Sequence, residues 1–289
     1  MDRVSVYAPA KVNLSLDITG KRDDGYHLMD MVMQSVSLCD VLTIEKSDFS
    51  LVFTCNTTSV PQDATNLAVK AARAFFSETK TPGGAIIHLE KKIPSGAGMG
   101  GGSADAAGVL VGLNVLYETG LSQEELCGIG LKLGADVPFC IMGATARVTG
   151  IGEMIEPIRD LPSCWFAAVK PAFSISTKEA FARFDSGEAF SRPDTAAMVK
   201  AVEACDLAAV GCQMKNVFEE TEDLPILTEV KEMLLSCGAL GAVMTGSGSV
   251  IYGLFEKETA AAAAAEKLKA YGESYVFAPA NYGAKVIAG

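Results

Sequence analysis

The chain has 289 residues, of which 49% are hydrophobic and 20% charged, so its composition is globular and excludes an intrinsically disordered chain. Its formal net charge of −11 argues against bulk attraction to nucleic acid or to an anionic membrane. The length favours either two domains that share a cleft or one large α/β domain.

The first half of the chain predicts strands, a helix and a further strand, because its apolar residues alternate or form β-branched runs and then change to helical spacing. A buried helix is predicted from residue 103 to Gly120, and Ser122 with Glu125 forms a capping-box pattern for the next short helix. The other expected elements are strands at 3–22, 35–47, 51–55 and 83–93, and a helix at 66–80.

Beyond about residue 155 the pattern starts afresh, which predicts an N-terminal domain at 1–155 and a C-terminal domain at 156–289. Strands and helices mix without regular βαβ alternation, so the sequence favours an α+β fold. The expected elements are a strand at 163–173, helices at 177–185, 194–210, 224–238 and 257–272, a hairpin at 239–255 and a closing strand at 274–280.

The eight cysteines are scattered and form no C-x-x-C pair, which argues against a zinc site and against a disulfide framework. The sequence contains no signal-peptide pattern and no apolar run of 18 residues. We therefore expect a cytoplasmic protein with reduced thiols that binds neither membrane nor nucleic acid.

A glycine-rich segment, IPSGAGMGGGSADAAG, lies between the strand at 83–93 and the helix that starts near 103, and it has five glycines between Gly96 and Gly102. A strand, a glycine-rich turn and a helix are the layout of an anion site, because small residues let backbone amides approach a phosphate and the helix N-terminus adds free donors. The alternative is a turn needed only for packing, for which one or two glycines would be enough.

The common phosphate motifs lack their context here. No G-K-[ST] follows, so the loop is not a Walker A motif, and the partner motifs of protein kinases are absent. The spacing G-x-G-x-x-G is present, but the acidic residues about 20 positions later, Glu118 and Glu124, fall at a helix end and a helix start. A nicotinamide-dependent oxidoreductase and a non-catalytic nucleotide-binding protein stay open as alternatives.

Three segments in the same order resemble the GHMP kinases, the small-molecule kinases named for galactose, homoserine, mevalonate and phosphomevalonate. They are PAKVNLSLDITGKRDDGYH, PSGAGMGGGSADAA and TGSGSVIYGLF. The stretches GKRDDGYH, LGADVPF and GIGE narrow the resemblance to members that act on a cytidine diphosphate-linked methylerythritol. The chain departs from the family's usual residues at Met99, Ala104 and Val217, where Leu, Ser and Asp are common.

The resemblance implies a two-domain α+β fold with the active site in the cleft between the domains. It implies ATP-dependent phosphorylation of the C2 hydroxyl of the methylerythritol in the non-mevalonate route to isoprenoid precursors. Asp136 would accept or orient the hydroxyl proton, and Lys11 would be its electrostatic partner. From the pattern alone, Asp136 is a helix or turn cap and Lys11 an ordinary surface lysine.

The resemblance also implies the substrate contacts. Tyr26 and Phe181 would stack on the cytosine, His27 would hydrogen-bond its edge, and Thr177 would lie nearby. Asn13 would share a strand face with Lys11 and hydrogen-bond the substrate. The pattern alone allows a solvated turn histidine and a helix-core phenylalanine instead. Another small-molecule kinase, such as a mevalonate or homoserine kinase, is a further alternative, against which the aromatic residues argue because they suit a base.

For the nucleotide, the resemblance implies that Asn66 and Lys91 contact adenine or ribose, although a helix-start cap and a surface lysine are the simpler interpretations. Gly246 and Gly248 would approach substrate or phosphates from the C-terminal half. The residues expected to wrap the ATP phosphates are Pro94, Ser95, Gly96, Ala97, Gly98, Met99, Gly100, Gly101, Gly102, Ser103 and Ala104.

Magnesium is expected to bridge the ATP phosphates. The sequence has no acidic cage for a metal, which fits a cation held mainly by substrate oxygens. We expect a monomer or a weak homodimer.

Overall fold

A computed structural model describes residues 2–187, 191–221 and 224–288. The strands are β1 (Arg3–Lys21), β2 (His27–Ser47), β3 (Leu51–Cys55), β4 (Gly84–Glu90), β5 (Thr145–Gly150), β6 (Met154–Pro157), β7 (Trp165–Pro171), β8 (Lys215–Asn216), β9 (Gly241–Met244), β10 (Ile251–Phe255), β11 (Gly272–Phe277) and β12 (Lys285–Ala288). The α-helices are α1 (Leu67–Thr79), α2 (Gly101–Leu116), α3 (Gln123–Leu131), α4 (Val137–Met142), α5 (Thr177–Ser186), α6 (Thr195–Glu203), α7 (Leu207–Gln213), α8 (Pro225–Ser236) and α9 (Glu258–Leu268). A 3₁₀ helix spans Val217–Thr221.

The first sheet is built on the long antiparallel pair β1 and β2, which runs from Arg3 opposite Glu45 to Lys21 opposite His27. One edge of β2 pairs with β4 near its end and with β5 near its start. The outer edge of β1 receives β12 and β8, two strands from the far end of the chain. The first sheet is therefore completed only by residues from the C-terminal half.

The second sheet has the order β11-β7-β10-β9, and all of its pairs are antiparallel. Its β9–β10 pair is the hairpin predicted at 239–255. The mixture of helices with two mainly antiparallel sheets confirms the α+β prediction. It also removes the oxidoreductase alternative, because a dinucleotide fold requires a parallel βαβ sheet around its glycine loop.

The remaining elements include both confirmed and wrong predictions. The capping box of Ser122 and Glu125 is present at α3. The single helix predicted at 194–210 is wrong: the chain breaks at Cys205, which has φ of 55°, and the Asp206 side chain then caps α7. The sequence analysis missed β5, β6, β8 and β12, and it placed the start of β2 eight residues too late.

Helix α2 positions the glycine loop, because it packs against β1 and β2 of the first sheet and against α1 and α4, which buries most of its residues. A Cβ on Gly108 would lie 2.6 Å from Leu42 Cδ1, and one on Gly112 would lie 2.6 Å from Ile44 Cδ1. These glycines allow α2 to lie close to β2. The close packing fixes the direction of α2, whose N-terminus starts at the glycine loop.

Two hydrophobic cores hold the fold, and each contains residues from both halves of the chain. The larger joins Val6 and Leu110 to Tyr252, and the smaller joins Met33 to Val169 and Leu234. The boundary at 155/156 stays a prediction, since the strands of the second sheet all follow it but both cores cross it. In the described part of the chain, no helix combines the length and hydropathy needed to cross a bilayer.

Candidate active site

A cavity of about 900 Å³ is lined by residues from both halves of the chain, and its size suits a nucleotide together with a small substrate. It brings together most of the predicted site residues. Those on its wall are Lys11, Tyr26, His27, Asn66, Lys91, every residue from Pro94 to Ser103, Asp136, Thr177, Phe181, Gly246 and Gly248. Asn13 and Ala104 do not lie on the wall, because both are fully buried behind it.

The glycine loop presents free amides to the cavity. The amides from Gly98 to Ser103 donate no hydrogen bond to any residue that the structure describes. The Ala104 amide donates to the Gly100 carbonyl inside α2, so it is not available to a phosphate. Free amides at a helix N-terminus are the donors that an anion requires, and the loop therefore fits a phosphate group.

The same glycines also allow close packing of the loop against neighbouring residues, which their spacing in the sequence does not reveal. A Cβ on Gly98 would lie 2.1 Å from the Thr245 carbonyl oxygen, so this glycine permits contact with the C-terminal Gly/Ser loop. A Cβ on Gly100 would lie 3.0 Å from Lys11 Cγ, and one on Gly101 would lie 3.0 Å from Lys91 Nζ. Packing and ligand binding are thus both served by one run of small residues.

Lys11 and Asp136 face each other across the cleft, with Lys11 Nζ 3.6 Å from Asp136 Oδ2. Lys11 is only 4% exposed, and its amide donates to the Met99 carbonyl, which ties β1 to the glycine loop. The interpretation of Lys11 as a surface lysine is therefore wrong. The pair provides a cation and a carboxylate beside the glycine loop.

Asp136 occupies the N-cap position of α4 but makes no side-chain capping hydrogen bond. A carboxylate at this position would ordinarily bond to the amides of the first helical turn. Here the side chain is about one-third exposed and faces Lys11 instead. The capping interpretation is therefore wrong, and the carboxylate is free to meet a ligand.

Asn13 holds Lys11 in place. Its Oδ1 accepts from Lys11 Nζ at 2.9 Å, from the Gly246 amide at 3.1 Å and from Thr245 Oγ1 at 3.2 Å. Its backbone amide donates to Thr245 Oγ1, and its carbonyl accepts from the Tyr252 hydroxyl. Because these contacts use the side-chain oxygen, the expectation of a direct substrate contact has no support in this structure, and Asn13 instead links the two halves of the site.

Lys91 lies beneath the glycine loop between two buried carboxylates. Its Nζ is 2.6 Å from Asp40 Oδ2 and 2.7 Å from Asp105 Oδ2. Burial lowers the pKa of Lys91, but the carboxylates outweigh burial and raise it overall. The surface-lysine interpretation is wrong, and a contact from this ammonium to ribose or adenine stays a prediction.

Asp105 is the residue of this cluster whose ionised form is least favoured by its surroundings. Burial raises the pKa of its carboxyl well above the ordinary value, opposed by Lys91 and supported by Asp40. Its Oδ1 is buried and has no hydrogen-bond partner within the described residues. One ammonium facing two carboxylates leaves an excess negative charge, which binding of a proton by Asp105 removes.

We expect Asp105→Asn to flatten the dependence of stability on pH. The folded protein binds the Asp105 proton more tightly than the unfolded chain does. The stability from this group is therefore complete below the ordinary pKa of 3.8 and is lost as the pH rises through the raised folded value. Urea unfolding at pH 5 and pH 8 should show a smaller loss in Asp105→Asn than in wild type. The exposed Asp160→Asn is the control, and equal losses in all three proteins would contradict the prediction.

Tyr26, His27 and Phe181 all lie on the cavity wall, but Tyr26 and Phe181 do not form two open ring faces on either side of a free space. The His27 ring stacks on Phe181, with centroids 4.4 Å apart and planes at 17°. Phe181 also meets Phe218 edge-on, while Tyr26 is 59% exposed. Because His27 covers Phe181, a flat ring in the cavity would meet His27 held by Phe181, with the exposed Tyr26 also on the cavity wall.

Other predicted residues have structural partners as well. Asn66 caps α1 by accepting from the Ala68 amide, which confirms the cap interpretation, and its ligand contact stays a prediction. The Thr177 hydroxyl lies 2.9 Å from that of Ser247, a cavity residue that the analysis missed between Gly246 and Gly248. His88, the other histidine, lies on β4 with its Nδ1 2.9 Å from the Thr54 hydroxyl.

The residues that the structure describes contain no cluster of three or more His, Cys, Asp or Glu side chains that could hold a metal ion. A cation at this site would be held chiefly by ligand oxygens. Among the predicted residues on the cavity wall, Asp136 supplies a carboxylate, and Ser95, Ser103 and Thr177 supply aliphatic hydroxyls.

Comparison with known proteins finds two domains of one family in this chain and relatives that match nearly its whole length. The profile of the GHMP kinases N terminal domain matches residues 66–144, and that of the GHMP kinases C terminal region matches 198–274. A protein of Alkaliphilus oremlandii named 4-diphosphocytidyl-2-C-methyl-D-erythritol kinase is 40% identical, covering 99% of this chain and all of the relative. A Clostridium perfringens protein of the same name is 43% identical, covering 93% and 96%.

Solved structures of kinases also superpose on nearly the whole chain. A crystal structure of 4-(cytidine 5'-diphospho)-2C-methyl-D-erythritol kinase superposes with a TM-score of 0.82 at 34% identity, covering 95% of this chain and 98% of that one. Homoserine kinase from Cytophaga hutchinsonii gives the same TM-score at 22% identity, covering 99% and 98%, which shows a shared fold.

Proposed function

Because the chain belongs to the GHMP kinase family, we propose that it transfers the γ-phosphoryl group of ATP to the C2 hydroxyl of 4-diphosphocytidyl-2-C-methyl-D-erythritol. This reaction lies in the non-mevalonate route to isoprenoid precursors. One observation carries the proposal: the Lys11–Asp136 pair faces the free amides of the glycine loop within a single cavity. The names of relatives at 40% identity or more support the choice of substrate.

In the proposed reaction, Asp136 accepts the proton of the attacking hydroxyl or holds that hydroxyl in line with the phosphorus. Lys11 stabilises the negative charge that develops on the acceptor oxygen, and Asn13 keeps its ammonium in place. Phosphoryl transfer requires positioning and charge neutralisation more than covalent chemistry by the protein. Two charged side chains and a set of amides are therefore sufficient.

The ATP phosphates would be held by the amides from Gly98 to Ser103 and by the positive end of α2. These donors fit the triphosphate because they are free within the described chain and lie on the cavity wall. Mg²⁺ would neutralise the phosphate charge when bound, held mainly by ATP oxygens, with Ser103 and Asp136 on the cavity wall as candidate side-chain donors.

The cytosine would occupy the aromatic end of the cavity. A base there would meet the edge of the His27 ring, which is held by Phe181, and would be covered by Tyr26, with Thr177 and Ser247 nearby. We further propose a cytoplasmic enzyme that is a monomer or a weak homodimer. Unbridged cysteines support a reducing compartment, and light scattering would measure the assembly state.

A turnover assay tests the proposal. Purified protein with Mg-ATP and 4-diphosphocytidyl-2-C-methyl-D-erythritol should release ADP, and ³¹P NMR should show a new phosphomonoester. With homoserine or mevalonate as acceptor, ADP release should stay at the background rate. Turnover of either alternative acceptor without turnover of the cytidine compound would overturn the substrate and leave the family unchanged.

A further inference from the structure

We propose that Asp185 is a positioning residue that fixes the tautomer and orientation of His27, so that the nucleobase end of the cavity selects a base with an exocyclic amine over one with a carbonyl. The inference rests on the proposed function for the identity of the base, cytosine rather than uracil. The interaction between Asp185 and His27 is independent of that assignment.

Two residues of α5 hold His27, one at its face and one at its edge. Phe181 stacks on the ring, and Asp185 Oδ1 lies 2.6 Å from His27 Nε2, one helical turn farther along. The His27 side chain is only 10% exposed, although it starts β2 directly after an exposed turn. The ring is therefore restrained in two directions before any ligand arrives.

Asp185 acts as a hydrogen-bond acceptor because it is ionised. Its Oδ2 lies 2.5 Å from Lys21 Nζ, and the hydrogen bonds from Lys21 and then from His27 lower the pKa of this carboxyl. An ionised carboxylate has no proton to donate, so the hydrogen in the contact with His27 must be on Nε2. A carboxylate that holds one ring nitrogen in this way sets the role of the other.

When an imidazole is uncharged and its hydrogen is on Nε2, Nδ1 is an acceptor, and in His27 this atom has no hydrogen-bond partner among the residues described. Because His27 lines the cavity, this acceptor can pair with the exocyclic amine of a cytosine placed at the edge of the ring. Uracil would place a carbonyl oxygen against it and leave two acceptors unpaired, which is the more costly arrangement. The edge of His27 therefore discriminates between the bases.

Nucleotide binding provides the first test. At pH 8, where an ordinary imidazole is neutral, isothermal titration calorimetry should show CDP binding to wild type about tenfold or more tighter than UDP. In Asp185→Ala the two affinities should come within about a factor of two of each other. Glu179→Ala, on the exposed first turn of α5, is the matched control and should keep the wild-type ratio. An unchanged ratio in Asp185→Ala would overturn the proposal.

The tautomer itself gives a second readout, which a merely structural role would not change. The chain has two histidines, so a long-range ¹H–¹⁵N spectrum of labelled protein, assigned with His88→Gln, isolates His27. Wild type at pH 8 should show the pure Nε2–H form, and Asp185→Ala should show shifts averaged between tautomers. An Nδ1–H form in wild type would overturn the inference.

These measurements separate the inference from the proposed function. If the turnover assay fails while CDP is preferred and the preference depends on Asp185, the function falls and the inference stands. If the turnover assay succeeds while wild type binds CDP and UDP equally, the inference falls alone.

Discussion

Replacing Asp136 with asparagine is expected to lower kcat by about 10²–10⁴-fold, the range typical for removal of a positioned general base. Asparagine keeps the shape of the side chain but cannot take up the hydroxyl proton. Because Asn13 still anchors Lys11, the site should otherwise keep its arrangement. Steady-state kinetics with ³¹P NMR of the product would measure the loss.

The control for this variant is Asp160→Asn, which removes the same charge from an exposed position. The unfolding midpoint of Asp136→Asn should stay close to wild type, because a partly exposed ion pair at 3.6 Å contributes at most about 1 kcal/mol. A folded Asp136→Asn variant with a near-normal kcat would remove Asp136 from the reaction.

The second large effect is expected at Gly98. Gly98→Ala should destabilise the fold by about 3 kcal/mol or more, since alanine pays for a left-handed backbone and its Cβ meets a fixed carbonyl oxygen. The φ of Gly98 is 74°, and the carbonyl is that of Thr245, 2.1 Å from the ideal Cβ position. Urea unfolding followed by circular dichroism would report the loss.

Gly120 offers a matched control, because its φ is 68° and a Cβ there would meet nothing within 4 Å. Gly120→Ala should therefore show only the backbone cost of about 1–2 kcal/mol. The difference between the two variants measures the contact between the glycine loop and the C-terminal loop. Equal destabilisation by both substitutions would show that this contact yields without cost.

Local signals in the sequence predicted the parts of the structure that form locally. The capping box at Ser122, the cap at Asn66 and the β9–β10 hairpin each depend on residues a few positions apart, and the structure has all three. The break between α6 and α7 also carried a local signal, because Asp206 is a good N-cap residue, and it could have been found.

The missed features depend on distant partners. Lys91 looks like a surface lysine until Asp40 and Asp105 are brought around it, and the Asp185 contact with His27 joins residues 158 positions apart. Strands β8 and β12 are too short for a periodic pattern, so only their pairing with β1 defines them. Sequence patterns report local preference, and such contacts are set by the finished fold.

Pairing of β1 with β12 also has a consequence for biosynthesis. Lys285 lies opposite Tyr7 in the sheet but is synthesised 278 residues after it (285 − 7). At about 5–20 residues per second, this edge of β1 waits for a time on the order of tens of seconds for its partner. An unpaired strand edge is a template for aggregation, so the nascent chain is most vulnerable in the interval before its last strand emerges.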